Sequence, residues 1–519
     1  MAAVFTDWTS SNDYFKENHV WASEKEIGKE DDIEGFVLDE FFRYVQNEIP
    51  FRLIFIPDMK PVDRFFVQEH YLPRITAITE EDVDEKVSNT ADGEIATREL
   101  VQEVVQYAIL SHRWLPQGEP TFKDMVDGTA AGPGREKLWK FCEVANNDSG
   151  ICFAWSDTCC IDKTSSAELD EAIRSMFRWY RNSTTCITYL AQTSSLDDLE
   201  LDEWFERGWT LQELLAPSVA KFFNAHWAPL TETTNDKDNK LLLRYLAAAS
   251  GCPEHQLHNF KPGPHYVDDR MSWAAKRKTT KAEDMAYSLM GIFDVTLQPA
   301  YGEGAERAFS RLVDMIMQSN GNTSALNWAG KAATLHNSMA LPSSPRCYLG
   351  HPSINSVRRL DVAMTSRGLR IPLVILPMTL RSIERVGRSN SQVNLLFPDA
   401  RFAKETGGIS VEVHGRVPHP REWRRWALGV FNYMPPYGNQ VMGHPALRRR
   451  SAAYLLWRRK EPVDQTELQV KDGLKVEDDL RFYGWKKAST TTFVYFDLES
   501  VGRREVMIVN NNLLEVAYL

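Results

Sequence analysis

The sequence predicts an α/β protein: a core built on a parallel sheet, then a helical segment, then a β-rich C-terminal domain. Three observations carry this. Between residues 101 and 235, short apolar runs alternate with segments of helical spacing, as strands and their crossover helices do. Residues 236–325 read as helical, including TTKAEDMAYSLMGIFDV and GAERAFSRLVDMIMQ. From 326 to 519, LRIPLVILP, ISVEVHGRV, AAYLLWRR, TTFVYFDL and EVMIVNN alternate with turn residues, the texture of a separate β domain.

Taken in order, residues 1–100 form an N-terminal extension. It opens on the polar MAAVFTDWTSSNDYF, passes through FRLIFI and ends in the acidic run EEDVDEKVSNTADGE, read as a loop. YAILSHRW (107–114) reads as a buried strand with a polar end, GREKLWKFCEVANN (134–147) as a helix and ICFAWSDTCCI (151–161) as a second buried strand. Ser165-Ser166-Ala167-Glu168 fits a capping box, opening a helix with the stripe Leu169, Ala172, Ile173, Met176, Phe177 and Tyr180. TCITYLA (185–191) and AKFFNAHW (220–227) are the third and fourth strands, with the helix RGWTLQELLAP between them, bounded by Gly208 and Pro217. Parallel sheets place ligands at the carboxyl ends of their strands. Here those ends carry Ser111-His112-Arg113 and Asp157 or Asp162.

A chain of 519 residues implies two or three domains. The formal charge of −11 is spread along the chain, which argues against a nonspecific nucleic-acid binder; LRRRSAAYLLWRRK and AAKRK read as solvated faces. No apolar run reaches membrane-spanning length, and the start lacks the features of a secretory signal, so a cytoplasmic location is expected. The seven cysteines then read as reduced thiols. No CxxC pair occurs, and neither a metal site nor a cofactor is expected. P-loop and WD-type repeat signatures are absent from the sequence.

YAILSHRW, WSDTCCIDK and RGWTLQELLAP, in this order, closely resemble the three sequence blocks of the fungal heterokaryon incompatibility (HET) domain. The continuation DRMSWAAKRKTTKAEDMAYSLMGIFDVTLQPAYGEGAERAF resembles the region that follows it, so the resemblance covers roughly 105–318. It implies non-self recognition and regulated cell death in filamentous fungi. The HET domain is in turn distantly similar to the TIR domain, which implies a TIR-like (flavodoxin-like) parallel sheet. Trp209-x-x-x-Glu213-Leu214 matches the TIR helix whose glutamate is catalytic in members that cleave NAD. By that resemblance NAD is a candidate substrate and homo-oligomerisation accompanies activation; the β-rich C-terminal domain, which the resemblance does not reach, is expected to sense, regulate or scaffold and is the place for protein partners.

Breaking the nicotinamide–ribose bond develops positive charge on the ribose, and a neutral pyridine leaves without a general acid. One carboxylate beside the sugar is then a sufficient centre, and Glu213 is the candidate. The alternative is a hydrogen-bonded helix glutamate. Ser111, Arg113, Trp114, Asp157 and Trp209 are the candidates for holding substrate. Arg113 would take the pyrophosphate with Ser111 beside it, or pair with Asp157 to fix the strand ends. Asp157 and Asp162 suit ribose hydroxyls, the orientation of Arg113, or turns. Trp209 shapes the site or packs in the core. His112 and Ser111 are neighbours on a strand, so they face opposite ways and make a poor dyad. Glu168 is a rival acid that capping explains, and Cys159-Cys160 reads as buried and structural. The rival to the enzyme is a noncatalytic HET module that triggers death by assembly; transfer of ADP-ribose to another acceptor is a third reading.

Overall fold

In the computed structural model the described residues are 31–519, apart from 91, 321, 336–339, 353, 355–359, 367, 387–388, 398–407, 415–424, 434–445, 449, 459–485, 489, 491–492, 498–504 and 508–513. The opening MAAVFTDWTSSNDYF and the ends of ISVEVHGRV, AAYLLWRR, TTFVYFDL and EVMIVNN lie outside them, as does the start of TTFVYFDL. The chain divides into two compact units, Met1–Asn47 with Arg64–Val105, and Glu48–Asp63 with Gln106–Leu519.

The first unit is helical: Asp31–Asn47, Arg64–Ile75, Glu80–Thr90 and Gly93–Val104. Val37, Phe41, Tyr44 and Val45 are buried at helical spacing along the first of these. The acidic run is a helix here, which corrects the loop expected from sequence. Thr79 and Asp82 cap it reciprocally: Thr79 N–H donates to Asp82 Oδ2 (2.8 Å), and Asp82 N–H to Thr79 Oγ1 (3.3 Å). Glu80, Glu81 and Asp82 in its first turn also favour the helix N-terminus.

The second unit is built on a six-stranded sheet. Its strands are β1 (Arg52–Phe55), β2 (Lys60–Asp63), β3 (Ala108–His112), β4 (Phe153–Trp155), β5 (Thr185–Tyr189) and β6 (Ala220–Phe223), in the order β2-β1-β4-β3-β5-β6. β3 pairs in parallel with both β4 and β5, and β5 with β6. β1 runs antiparallel to β2 and β4. FRLIFI therefore belongs to the sheet, and the core sheet starts at residue 52 instead of after 100. All five residues of β3 are buried, as a continuous apolar run in a parallel sheet requires. The chain moves from β3 to β4 on one side, then to β5 and β6 on the other. Strand order thus reverses beside β3, and such a reversal opens a crevice at the carboxyl ends of the strands.

Between β3 and β4 two helices occur, Phe122–Asp127 and Gly132–Ser149, where the sequence indicated one. Thr121 and Asp124 form a capping box for the shorter one, a short-range signal that weak periodicity over six residues hides. The second apolar run is a strand only over Phe153–Trp155; the turn that follows carries Asp157, Cys159 and Cys160. The helix Ser166–Asn182 buries Ala172, Ile173, Met176, Phe177 and Tyr180, with Trp179 against Trp155 (ring centroids 5.7 Å). A side chain at Gly291 would collide with Phe177, so this glycine lets the Met290–Phe293 turn sit on that helix.

Residues 236–325 are helical as expected, with Lys240–Ser250, Glu254–His258, Val267–Ala274, Asp284–Tyr287, Met290–Phe293 and Ala305–Asn320. Beyond them lies a separate antiparallel sheet. Its main path is Gly408–His414, Asn390–Leu396, Gly368–Val386, Arg425–Val430, Arg450–Arg458 and Lys486–Lys487. This sheet belongs to the same compact unit as the parallel one. Tyr454 OH, from the strand Arg450–Arg458, donates to Leu326 O (2.9 Å), fastening it to the end of the helical segment, and Tyr348 OH, from the 3-10 turn Pro345–Tyr348, donates to Ala325 O (2.7 Å).

Candidate functional site

The site gathers where β3 and β4 end. Ser111 and His112 close β3, with all of their neighbours along the strand buried, and their side chains diverge as adjacent strand residues must. Ser111 Oγ donates to Glu213 Oε2 at 2.5 Å and accepts from Trp204 Nε1 at 3.0 Å. His112 Nε2 lies 3.2 Å from Asp157 Oδ1 on the other side. The sequence-based rejection of a Ser111–His112 dyad agrees with this geometry.

Glu213 comes from the helix Thr210–Leu215, whose six residues are all buried. This is not an amphipathic helix but one enclosed on every side. Gly208 precedes it because a side chain there would run into Thr279; its N–H donates to Lys278 O (2.8 Å). Thr210 Oγ1 is bonded to Trp204 O (2.6 Å) and accepts from buried Arg277 Nη1 (2.9 Å), pinning the first turn. Trp209 does not share Glu213's surroundings: its indole donates to Asp284 Oδ2 at 3.1 Å, in the helical segment. The ring bonded into the Ser111–Glu213 pair is Trp204's.

Glu213 forms no salt link among the described residues and is 7% exposed. Burial pushes its carboxyl up to about 8, and the Asp157 charge adds to the rise, against the Ser111 hydrogen bond and the charges of Arg207 and Arg277. Asp157 goes the other way. Burial alone would raise it, but the His112 bond and the charges of Lys163 and Arg207 hold it well below the carboxylate range. Burial, with the Lys137 charge nearby, lowers His112, against the Asp157 bond and the charges of Asp157 and Glu119. Ionised Asp157 can only accept, so Nε2 carries a proton and donates to it. Two carboxyl groups near each other are therefore driven to opposite protonation states, which is how one site separates an acid from a base.

Trp114 is exposed (39%), and its Nε1 donates to Asp157 Oδ2 at 2.9 Å. Over its ring lie Lys163 Nζ (3.7 Å) and the Arg207 guanidinium (5.2 Å). The loop carrying Trp114 is held from beneath. Buried Lys137 donates to Glu119 Oε1 (2.5 Å) and Arg113 O (3.2 Å), and Leu115 N–H donates to the same Glu119 oxygen (2.7 Å). Lys163 and Arg207 bring two positive charges to the rim occupied by Asp157 and Trp114, an arrangement suited to an anionic group.

Among the residues singled out from sequence, the structure brings Ser111, Glu213, Asp157 and Trp114 together. Arg113 stands apart: its guanidinium pairs with Glu203, both half-exposed, and not with Asp157. Nor is Ser111 beside it as a ligand group, since that hydroxyl is committed to Glu213 and Trp204. Asp162 is a turn residue bonded to Thr164 N (2.9 Å). Glu168 accepts from Asp162 N (2.6 Å) and from Arg52 Nη1 (2.6 Å), so its carboxylate is structural. It does not close the expected capping box, of which only the Glu168 N–H to Ser165 Oγ bond forms (3.4 Å). Cys159 and Cys160 are buried free thiols. Trp204, Lys163 and Arg207 carry no sequence signal that marks them for the site: Lys163 and Arg207 stand at the ends of the segments WSDTCCIDK and RGWTLQELLAP.

Residues 107–203 match the family model described as heterokaryon incompatibility protein (HET). That stretch contains Ser111, His112, Trp114, Asp157 and Lys163, and ends before Trp204, Arg207 and Glu213. Over 229 residues the chain is 43% identical to the vegetative incompatibility protein HET-E-1 of Podospora anserina, a match covering 41% of this chain and 16% of that protein. The chain thus corresponds to a small part of this relative's length. No solved structure matches the chain.

Proposed function

The chain carries a HET domain of the fungal heterokaryon incompatibility family, and from that premise we propose that it acts in heterokaryon incompatibility by cleaving NAD at the nicotinamide–ribose bond. The observation that carries the reading is the paired behaviour of Glu213 and Asp157 beside Lys163 and Arg207. Charge developing on the ribose needs a carboxylate, and Glu213 is the one set in a low-dielectric environment, where such stabilisation is strongest. A cationic nicotinamide ring arriving near Glu213 would favour its ionised form. Lys163 and Arg207 supply the phosphate side in place of Arg113, and Trp114 offers an exposed ring beside them. The strand order, with its reversal beside β3, supports the TIR-like, flavodoxin-like reading of the sheet. Loss of NAD, or a product of its cleavage, then connects the domain to cell death.

Purified full-length protein incubated with NAD, with nicotinamide followed by chromatography, tests this. Release by wild type and its loss in Glu213→Gln support the enzyme; no release from either, in concentrated and crowded samples alike, overturns it. One observation favours the second reading, a noncatalytic module acting by assembly: Glu213 is buried and already satisfied by Ser111. That reading expects self-association and cell death to survive Glu213→Gln unchanged.

A further inference from the structure

We propose that Asp268, Asp269 and His351 form a binding site for a divalent transition-metal ion of the zinc class. Asp268 and Asp269 open the helix Val267–Ala274, and His351 follows the short 3-10 turn Pro345–Tyr348. One ligand atom from each lies within 4.8 Å of the others. His351 Nε2 is 3.6 Å from Asp268 Oδ2 and 3.4 Å from Asp269 Oδ1. Neither contact forms a hydrogen bond. The separations match the edges of a coordination shell: tetrahedral bonds of about 2.0–2.2 Å set neighbouring donors roughly 3.3–3.6 Å apart.

Two further observations point to an ion. The His351 side chain is 6% exposed, yet its Nε2, aimed at the two carboxylates, has no hydrogen-bond partner among the described residues. A buried ring nitrogen left unpaired is costly, and a metal would satisfy it. The Asp268 carboxylate is 2% exposed and receives a hydrogen bond from Asn327 Nδ2 (2.8 Å), a neutral donor; its one ion-pair contact among the described residues is His351 itself. An imidazole with two carboxylates suits zinc and its first-row neighbours, whereas magnesium and calcium prefer oxygen alone. Asp269, one-third exposed, leaves a side open for entry and for a water ligand. The sequence hides the site because its ligands come from a helix and a distant loop instead of a CxxC pair.

Bound metal would tie the helical segment to the segment leading into the β-rich region. Asn327 already bridges that seam, donating to Asp268 Oδ2 and to Pro352 O (3.2 Å). The ion is structural here and independent of NAD cleavage.

The test is calorimetric titration of EDTA-treated, dialysed full-length protein with ZnCl2, and with MgCl2 in parallel. Expected are a single Zn²⁺ per chain, a higher unfolding temperature in zinc, and no response to magnesium. Asp269→Asn, at a part-exposed position, weakens zinc binding at least about ten-fold, with circular dichroism confirming that the variant is folded. His351→Gln abolishes it, with circular dichroism confirming that the variant is folded. Because Cys152 is the one thiol that is not buried, Cys152→Ser is the control and binds as wild type does. Absence of zinc binding, unchanged affinity in Asp269→Asn, or loss of binding in Cys152→Ser would each overturn the proposal.

Discussion

Ser111 Oγ and Glu213 Oε2 are 2.5 Å apart, although 102 residues separate them in the chain. The bond joins the carboxyl end of the central strand to a helix buried on all sides, and so fixes where the acid points. Trp204 Nε1 donates to the same hydroxyl, which leaves the Ser111 proton for Glu213. Ser111→Ala strips Glu213 of its donor and leaves the Trp204 N–H without an acceptor. The expected loss is about 1–3 kcal/mol in urea unfolding, the usual cost of orphaned buried polar groups. Under the proposed function nicotinamide release also falls, though less than in Glu213→Gln, because the carboxylate remains.

Glu213 further predicts a pH dependence. Its folded-state pKa, about 8, lies above the ordinary value of 4.5, so the folded state holds a proton that the unfolded state has released. The stability that this provides is full below pH 4.5 and is lost as pH rises through 8. In Glu213→Gln the fall in unfolding free energy between pH 6 and 9 becomes shallower, as read from urea midpoints at each pH. NAD cleavage should run the other way, rising toward pH 8 as the carboxylate forms.

Much of this was legible in the sequence, for identifiable reasons. Continuous apolar runs at 107–114 and 185–191 mark buried parallel strands, and Glu213 and Asp157 stand out as acids next to such runs. What was lost was tertiary. Trp209 and Glu213 are four residues apart and would share a face on an isolated helix, yet here the residue just before a six-residue helix enclosed on all sides goes to Asp284 and the fourth residue of that helix to Ser111. FRLIFI has no local sign that it will add to an edge next to a strand from residue 153. The helix in EEDVDEKVSNTADGE does carry a local signal, because Thr79 three residues before Asp82 is itself a cap residue.

The rival acid Glu168 and the arginine Arg113 make a contrasting pair. Glu168 serves a backbone N–H and Arg52 at a part-buried position, so Glu168→Ala should cost about 1–3 kcal/mol without touching nicotinamide release. Arg113 and Glu203 are 39% and 43% exposed, and Arg113→Ala should change stability by less than about 1 kcal/mol. Unfolding curves and the nicotinamide assay on both variants check this. A large catalytic defect in Arg113→Ala would return the phosphate-side role to it from Lys163 and Arg207.

Asp157→Asn separates charge from shape. The amide still faces His112 and Trp114, but the negative charge that helps to raise Glu213 is gone. The Glu213 titration should therefore move to lower pH, seen as an earlier midpoint in the difference between each protein and its Glu213→Gln partner. Asp157 itself has a depressed pKa, so its contribution to stability is present above the ordinary carboxylate value of 3.8 and disappears as pH falls through the folded value. The destabilisation caused by Asp157→Asn should consequently be large at pH 7 and shrink on acidification. A midpoint that stays in place would mean that the two carboxyl groups do not sense each other, and the division of protonation states in this site would have to rest on burial alone.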